Sequence, residues 1–167
     1  MNRESLHRES TPKHTGHVST FEDLEVYRVA REFRRAMYGV AKRLPEIEKF
    51  GLANQIRRAA VSLTSNIAEG HGRYHYLDQI RFTLHSRGSL EELLDDLNVC
   101  EDEQYLLGQE IGSLKEDGWR VRQLLDGYIR YLLYANRARI AGPWFEKTRR
   151  HMTKTSTIHD SRFNDSQ

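Results

Sequence analysis

The sequence predicts an all-α protein, an antiparallel up-down-up-down four-helix bundle with a polar, disordered tail at each end. Three observations carry this. Apolar residues recur at spacings of three and four in four successive segments, the breaks between them are short and hold Pro or Gly, and no segment has the period of two expected of a half-buried strand. The 167 residues are enough for one domain whose core needs neither disulfide nor metal. The expected division is a disordered tail at 1–19, the bundle at 20–136, and a basic, mostly disordered tail at 137–167.

Residues 1–19 are polar, rich in His and without periodicity. Ser19 or Thr20 can then cap a first helix, with Glu22 or Asp23 three residues on in capping-box spacing. Leu24 or Val26, Ala30, Phe33, Met37, Val40 and Leu44 follow one face, and Pro45 ends the helix or lies just beyond it. A second helix starts near Ile47 or Lys49 and buries Leu52, Ile56, Ala59, Ala60, Leu63 and Ile67; Gly70 and Gly72 supply the left-handed residue on which it stops.

After a turn at Tyr74 and His75, the third helix carries Ile80, Leu84, Leu90, Leu93, Leu94, Leu97 and Cys100, interrupted at Arg87-Gly88-Ser89. The fourth has the most regular stripe, Leu114, Gly118, Val121, Leu125, Tyr128 and Leu132, a heptad pattern that asks for shallow crossing angles. Four helices of about 24 residues would each be about 36 Å long. Past Asn136 a Gly-Pro break leads into polar sequence in which Trp144 and Phe145 are the candidates for docking on the bundle.

Residues 20–136 hold 16 Lys and Arg against 19 Asp and Glu, whereas 137–167 hold 7 against 3. A mildly acidic bundle with a basic tail hints at an anionic partner for the tail, or at a solubilising role. Cys100 is the only cysteine, which rules out an intrachain disulfide and suits a reducing compartment. No apolar run approaches the roughly 20 residues that cross a bilayer, and the N-terminus has no apolar signal region. The expectation is a cytoplasmic protein without a membrane partner.

The stretch QIRRAAVSLTSNIAEGHGR, residues 55–73, carries a second, polar stripe at helical spacing: Gln55, Arg58, Ser62, Asn66, Glu69 and Arg73. In a hairpin turning near Tyr74, facing residues have numbers summing to about 149, which sets Arg58 near Glu91, Ser62 near Arg87 and Gly88, and Asn66 near Thr83. Either these groups satisfy one another along a partly buried seam, with Gly88 letting the helices approach, or the seam faces a second subunit or a central channel. Two basic stripes stand apart from it. Arg28, Arg31, Arg35, Tyr38 and Lys42 recur along the first helix, and Arg120, Gln123, Arg130, Tyr134 and Arg137 along the fourth. Arginine interleaved with tyrosine suits a surface that tracks phosphates; a solvated face is the plainer reading.

Leu44-Pro45, Gly51-Leu52, Gln55 through Ser62, Asn66-Ile67-Ala68-Glu69-Gly70, and Arg87-Gly88-Ser89-Leu90 with Glu92-Leu93 together resemble the four-helix-bundle family of 23S rRNA-intervening sequence proteins. The resemblance covers about 21–133 and neither tail. That family resembles in turn the accessory variability determinant of diversity-generating retroelements, a pentamer that binds nucleic acid and a reverse transcriptase. The resemblance therefore implies a homo-oligomer, a pentamer, with RNA or DNA and a reverse transcriptase or other protein as partners. It favours assembly as the role of the seam. Where the family often has Trp early in its first helix, this chain has Tyr27.

His71 and His75 offer two imidazoles, but without the carboxylate-rich set of a di-iron bundle no metal is expected, and no cofactor. His85-Ser86-Arg87-Gly88-Ser89 is similar to a histidine phosphotransfer motif, yet its spacing to the basic residue and glycine is one short, which rotates them by about 100°. No Ser-His-Asp, Cys-His or Gly-rich phosphate motif is present, and the protein is not expected to be an enzyme. The leading expectation is a non-catalytic oligomeric scaffold that binds RNA or DNA through its basic faces. A protein-interaction scaffold without nucleic acid is the alternative, and a phosphotransfer module using His85 a remote one.

Overall fold

The computed structural model describes residues 20–142, which form a four-helix bundle; among them there is no strand. The helices are α1, Glu25–Arg43; α2, Leu52–His71; α3, Tyr76–Asp102; and α4, Gly108–Ala141. Single 3-10 turns lie at Phe21–Asp23 and Glu46–Glu48. α1 packs on α2 and α4, and α3 on α2 and α4, with α2 against α3 the most extensive pairing. This ring of neighbours, joined by short connections, is the up-down-up-down arrangement the apolar stripes predict. No helix of the described residues is long and apolar enough to cross a membrane. The tails at 1–19 and 143–167, with Trp144 and Phe145, lie outside the described residues.

The core follows the stripes. Val26, Ala30, Phe33, Met37 and Val40 of α1 meet Ile56, Ala59, Ala60, Leu63 and Ile67 of α2, Leu90, Leu93 and Leu97 of α3, and Leu114, Val121 and Leu125 of α4. Each large side chain fully withdrawn from water contributes roughly 1.5–3 kcal/mol, and this burial holds the helices together. The ends are fixed by polar contacts. Glu48 accepts a hydrogen bond from the Leu52 backbone N–H through Oε2 (3.0 Å), capping α2, and one from the Tyr105 hydroxyl through Oε1 (3.0 Å). One carboxylate thus ties the α1–α2 connection to the α3–α4 connection.

Several local expectations are corrected. The capping residues act one turn early: Asp23 accepts from the Thr20 backbone N–H (3.0 Å) and closes the 3-10 turn, while α1 itself starts at Glu25. α2 begins at Leu52 because residues 46–48 form their own 3-10 turn after Pro45. Neither Gly70 nor Gly72 is left-handed. Gly70 lies inside α2, where a Cβ would come within 3.0 Å of Phe82 Cβ and 3.3 Å of the Gln79 carbonyl oxygen, so its role is to let α3 approach. Positive φ closes two other helices instead: Gln104, φ 56°, lies just past α3, and Gly142, φ 57°, caps α4.

Gly88 does not interrupt α3, which runs through it, nor does it mediate helix contact, since nothing lies within 4 Å of where its Cβ would be. Gly118 of α4 is the closer approach: a Cβ there would sit 2.6 Å from Leu94 Cδ2 and 3.3 Å from Phe33 Cζ. With α3 unbroken, Thr83, Ser86, Ser89 and Asp96 are buried along with the expected Ile80, Leu90, Leu93, Leu94, Leu97 and Cys100, and Leu84 falls outside the stripe, exposed. The helices are unequal, 19, 20, 27 and 34 residues, and α4 continues past Asn136 to Ala141. At 1.5 Å per residue α4 is about 51 Å long against about 28 Å for α1.

Candidate functional site

The polar stripe of α2 divides into an inner and an outer part. Inside, Gln55 Nε2 donates to Asp96 Oδ1 across to α3 (3.0 Å), Ser62 Oγ lies 2.8 Å from Ser89 Oγ, and Ser86 Oγ donates to the Leu63 carbonyl. Asn66 Nδ2 turns back on its own helix to the Ser62 carbonyl (2.8 Å), and Glu69 pairs with Arg73. The α2–α3 seam is therefore real and keeps the expected register, but the residues bonded across it are not the Arg58–Glu91 and Asn66–Thr83 pairs. Glu91 pairs with Arg122 of α4, and Arg87 lies 3.5 Å from Asp126 of α4. Arg87 and Glu91 turn toward α4, while Ser86, Ser89 and Asp96 occupy the α2 side of α3. Thr83, expected opposite Asn66, donates to Gln79 of its own helix instead (2.8 Å).

Asp96 was not anticipated as a member of the seam. It is 1% exposed, and its Oδ2 has no hydrogen-bond partner among the described residues. Burial, together with the charges of Glu92 and Asp95, pushes its carboxyl up to about 7. The signal in the sequence is an acid in the phase of Leu93, Leu97 and Cys100, one helical turn from each of the outer two. Cys100 is itself fully buried, which pushes its thiol up to about 11.

Outside, the stripe lines an open groove of about 770 Å³ over the outer face of α2. Gln55, Arg57, Arg58, Ser62, Ser65 and Asn66 form its floor, Tyr38 of α1 stands on one wall and Glu92 of α3 on the other. Arg58 is exposed and makes no hydrogen bond or ion pair with any described residue; Arg57 Nη2 donates to the Lys49 carbonyl (3.0 Å). Tyr38 joins this groove to the basic stripe of α1. There Arg31 and Lys42 are exposed without a partner among the described residues, Arg28 donates to the Asp23 carbonyl (3.2 Å), and Arg35 lies 3.7 Å from Glu32 with both side chains largely in solvent. Such a pair leaves the cation available.

The stripe of α4 is separate, since α4 packs on α1 and α3 and not on α2. Arg120, Arg130 and Arg137 are exposed on it, and Tyr134 is largely exposed. Gln123 lies in the cleft between α1 and α4 beside Tyr128 and Tyr131. His85 is exposed on α3, edge-on to the Phe82 ring, while His71 and His75 flank the α2–α3 turn. The structure thus brings together the α1 stripe and the outer residues of α2, and leaves the α4 stripe on its own.

A family model described as 23S rRNA-intervening sequence protein matches residues 22–127, more than half of the chain. Among solved structures, one from Bacteroides thetaiotaomicron, a protein with unknown function from the S23 ribosomal protein family, superposes with a TM-score of 0.59. The two are 23% identical over 62% of this chain and 97% of that one, a likeness that shows the fold alone. No curated protein matches the chain.

Proposed function

The chain belongs to the 23S rRNA-intervening sequence protein family, and on that premise we propose that it is a non-catalytic, oligomeric scaffold that binds the phosphate backbone of RNA or DNA along α1 and the groove on α2. The carrying observation is the run of unpaired cations: Arg31 and Lys42 on α1 and Arg58 in the groove have no partner among the described residues, and Tyr38 lies between the two helices as an aromatic platform. Unpaired guanidinium and ammonium groups can release counterions from phosphates, and a tyrosine ring can stack on a base without reading its identity. Serine and asparagine side chains on the groove floor add neutral hydrogen-bonding groups for phosphate or sugar.

Burial pushes the Cys100 thiol up to about 11, which makes it a poor nucleophile at neutral pH. The resemblance drawn from the sequence implies assembly, and a pentamer is the form proposed, with a reverse transcriptase or another nucleic-acid-processing protein as its associate. Light scattering behind a sizing column tests assembly, and a monomer across micromolar concentrations contradicts it. Titration of a fluorescent single-stranded homopolymer at several salt concentrations tests the binding. Affinity should be tolerant of sequence and should fall with salt at a log-log slope of about −0.7 per phosphate contact. No binding at low salt leaves the protein scaffold without nucleic acid as the reading to keep.

A further inference from the structure

Two opposite charges line the α2 groove and do not pair. Arg58 makes no hydrogen bond or ion pair with any described residue, and neither does Glu92, the one acid of the groove, exposed on α3. The other acids of that stretch are engaged elsewhere: Glu91 pairs with Arg122 of α4, Asp96 accepts from Gln55, and Asp95 accepts from Asn98 in the cleft toward α4. The bonded pairs Gln55–Asp96 and Ser62–Ser89 fix the register of α3 on α2, and in that register Glu92 stands level with Ala59, the smallest side chain of the groove floor and the neighbour of Arg58.

A surface that only tracks phosphates gains nothing from a carboxylate, which repels them. The carboxylate becomes useful when the ligand brings hydrogen-bond donors as well as negative charge, and a nucleotide brings both. An ionised carboxylate only accepts, so it distinguishes bases by the donors on their Watson–Crick edges. Guanine offers two adjacent donors there, N1–H and the 2-amino group, which one carboxylate takes with its two oxygens. Adenine and cytosine each offer one amino donor beside a ring-nitrogen acceptor. Uracil flanks its single N–H with two carbonyl oxygens, which a carboxylate repels.

Resting on the reading of this groove as a nucleic-acid surface, we infer that Glu92 selects an unpaired guanine, held over Ala59 with a phosphate of the same strand on Arg58. The base must be unpaired, because in a duplex its Watson–Crick edge is already bonded to the other strand. A strand fits better than a peptide carrying both charges, since the surface continues past Tyr38 to the unpaired Arg31 and Lys42 of α1, a supply of cations for successive phosphates. Most of the affinity then stays with the phosphates and tolerates sequence, and one position is read.

The test uses the full chain and short fluorescent RNA oligomers: all U, and the same length with G, inosine or A at every third position. At low salt the G oligomer should bind the wild type about fivefold more tightly than all U. Inosine keeps N1–H but lacks the 2-amino group and should fall between them, and A should match all U. Glu92→Gln puts a donor where the carboxylate had an acceptor, so it should cut the preference below about twofold without lowering affinity for all U. Asp95→Asn removes a neighbouring charge that, like that of Glu92, acts on Asp96, and should leave the preference intact. Both positions are exposed, and both variants should melt like the wild type. If none of the oligomers binds, the nucleic-acid reading fails and takes this inference with it. If all U binds but G is not preferred, or if the preference survives in Glu92→Gln, the inference is overturned and that reading stands. Displacement of the G oligomer by micromolar GMP would reassign the site to a free nucleotide and overturn the inference as well.

Discussion

Asp96 is the residue at which packing and electrostatics conflict most plainly. Its position in the buried stripe of α3 gives it one good partner, Gln55, and leaves Oδ2 with none among the described residues. A neutral carboxyl suits that site better than a charged one, hence its rise to about 7. The sign of the linkage follows. A carboxyl raised in the folded state favours folding fully at pH below its unfolded value near 3.8, and that stability is lost as pH rises through about 7. Asp96→Asn keeps an acceptor for Gln55 and removes the charge, so it should gain more on the wild type at pH 8 than at pH 5. At about 1.4 kcal/mol per pH unit, the difference is at most about 3 kcal/mol. Urea unfolding of both proteins at the two pH values measures it. An equal difference at pH 5 and pH 8 would mean that Asp96 is ionised in the fold throughout this range. The same scale shows where sequence reading failed at the seam: Arg58 and Glu91 have matching charge and register, but the small hydroxyls of Ser86 and Ser89 hold the α2 side of α3 and turn Glu91 to Arg122.

At the scale of elements, the helices and their buried faces were legible because Leu, Ile, Val and Phe at spacings of three and four leave little else to form. Phe33, Ile56, Leu93 and Val121 all lie in the core where that spacing puts them. What spacing could not show was the job of each glycine, which depends on the element across from it. Gly88, exposed in the middle of α3 with open space at its Cβ position, only weakens the helix, and Gly88→Ala should stabilise the protein by about 0.5–1 kcal/mol. Gly70→Ala should destabilise it by about 1–3 kcal/mol, since the new methyl meets the Gln79 carbonyl and Phe82 Cβ, which move only with the α3 backbone. Thermal melts of the two variants should shift in opposite directions. Downward shifts of equal size would mean that Gly88 also serves a close approach. The end of α4 was illegible for a related reason: Asn136 reads as the close of a pattern, yet it is buried, and Arg139 reaches over the Tyr76 ring of α3 at 5.9 Å.

At the scale of the whole molecule, charge is sorted, with unpaired cations along α1 and in the α2 groove and ion pairs such as Arg43–Glu110, Lys115–Glu101 and Arg122–Glu91 elsewhere. The helical unit that carries both should fold without its tails. Residues 20–142 should keep the helical content and cooperative melt of the full chain, whereas stopping at 136 should lower the melting temperature by removing the last turn of α4. A non-cooperative melt of 20–142 would show that the core needs residues beyond it. The same sorting makes the nucleic-acid reading testable without a known sequence target. The central claim is that the cations of α1 and the α2 groove bind a phosphate backbone, and the most direct measurement is the salt dependence of homopolymer RNA affinity in the wild type, in Arg28→Glu/Arg31→Glu/Arg35→Glu and in Arg58→Ala. Both variants should melt like the wild type, because these side chains are exposed. The triple variant should lose affinity and flatten the slope by about two to three phosphate contacts, and Arg58→Ala should flatten it by about one. Equal affinity and equal slope in all three proteins would contradict the claim.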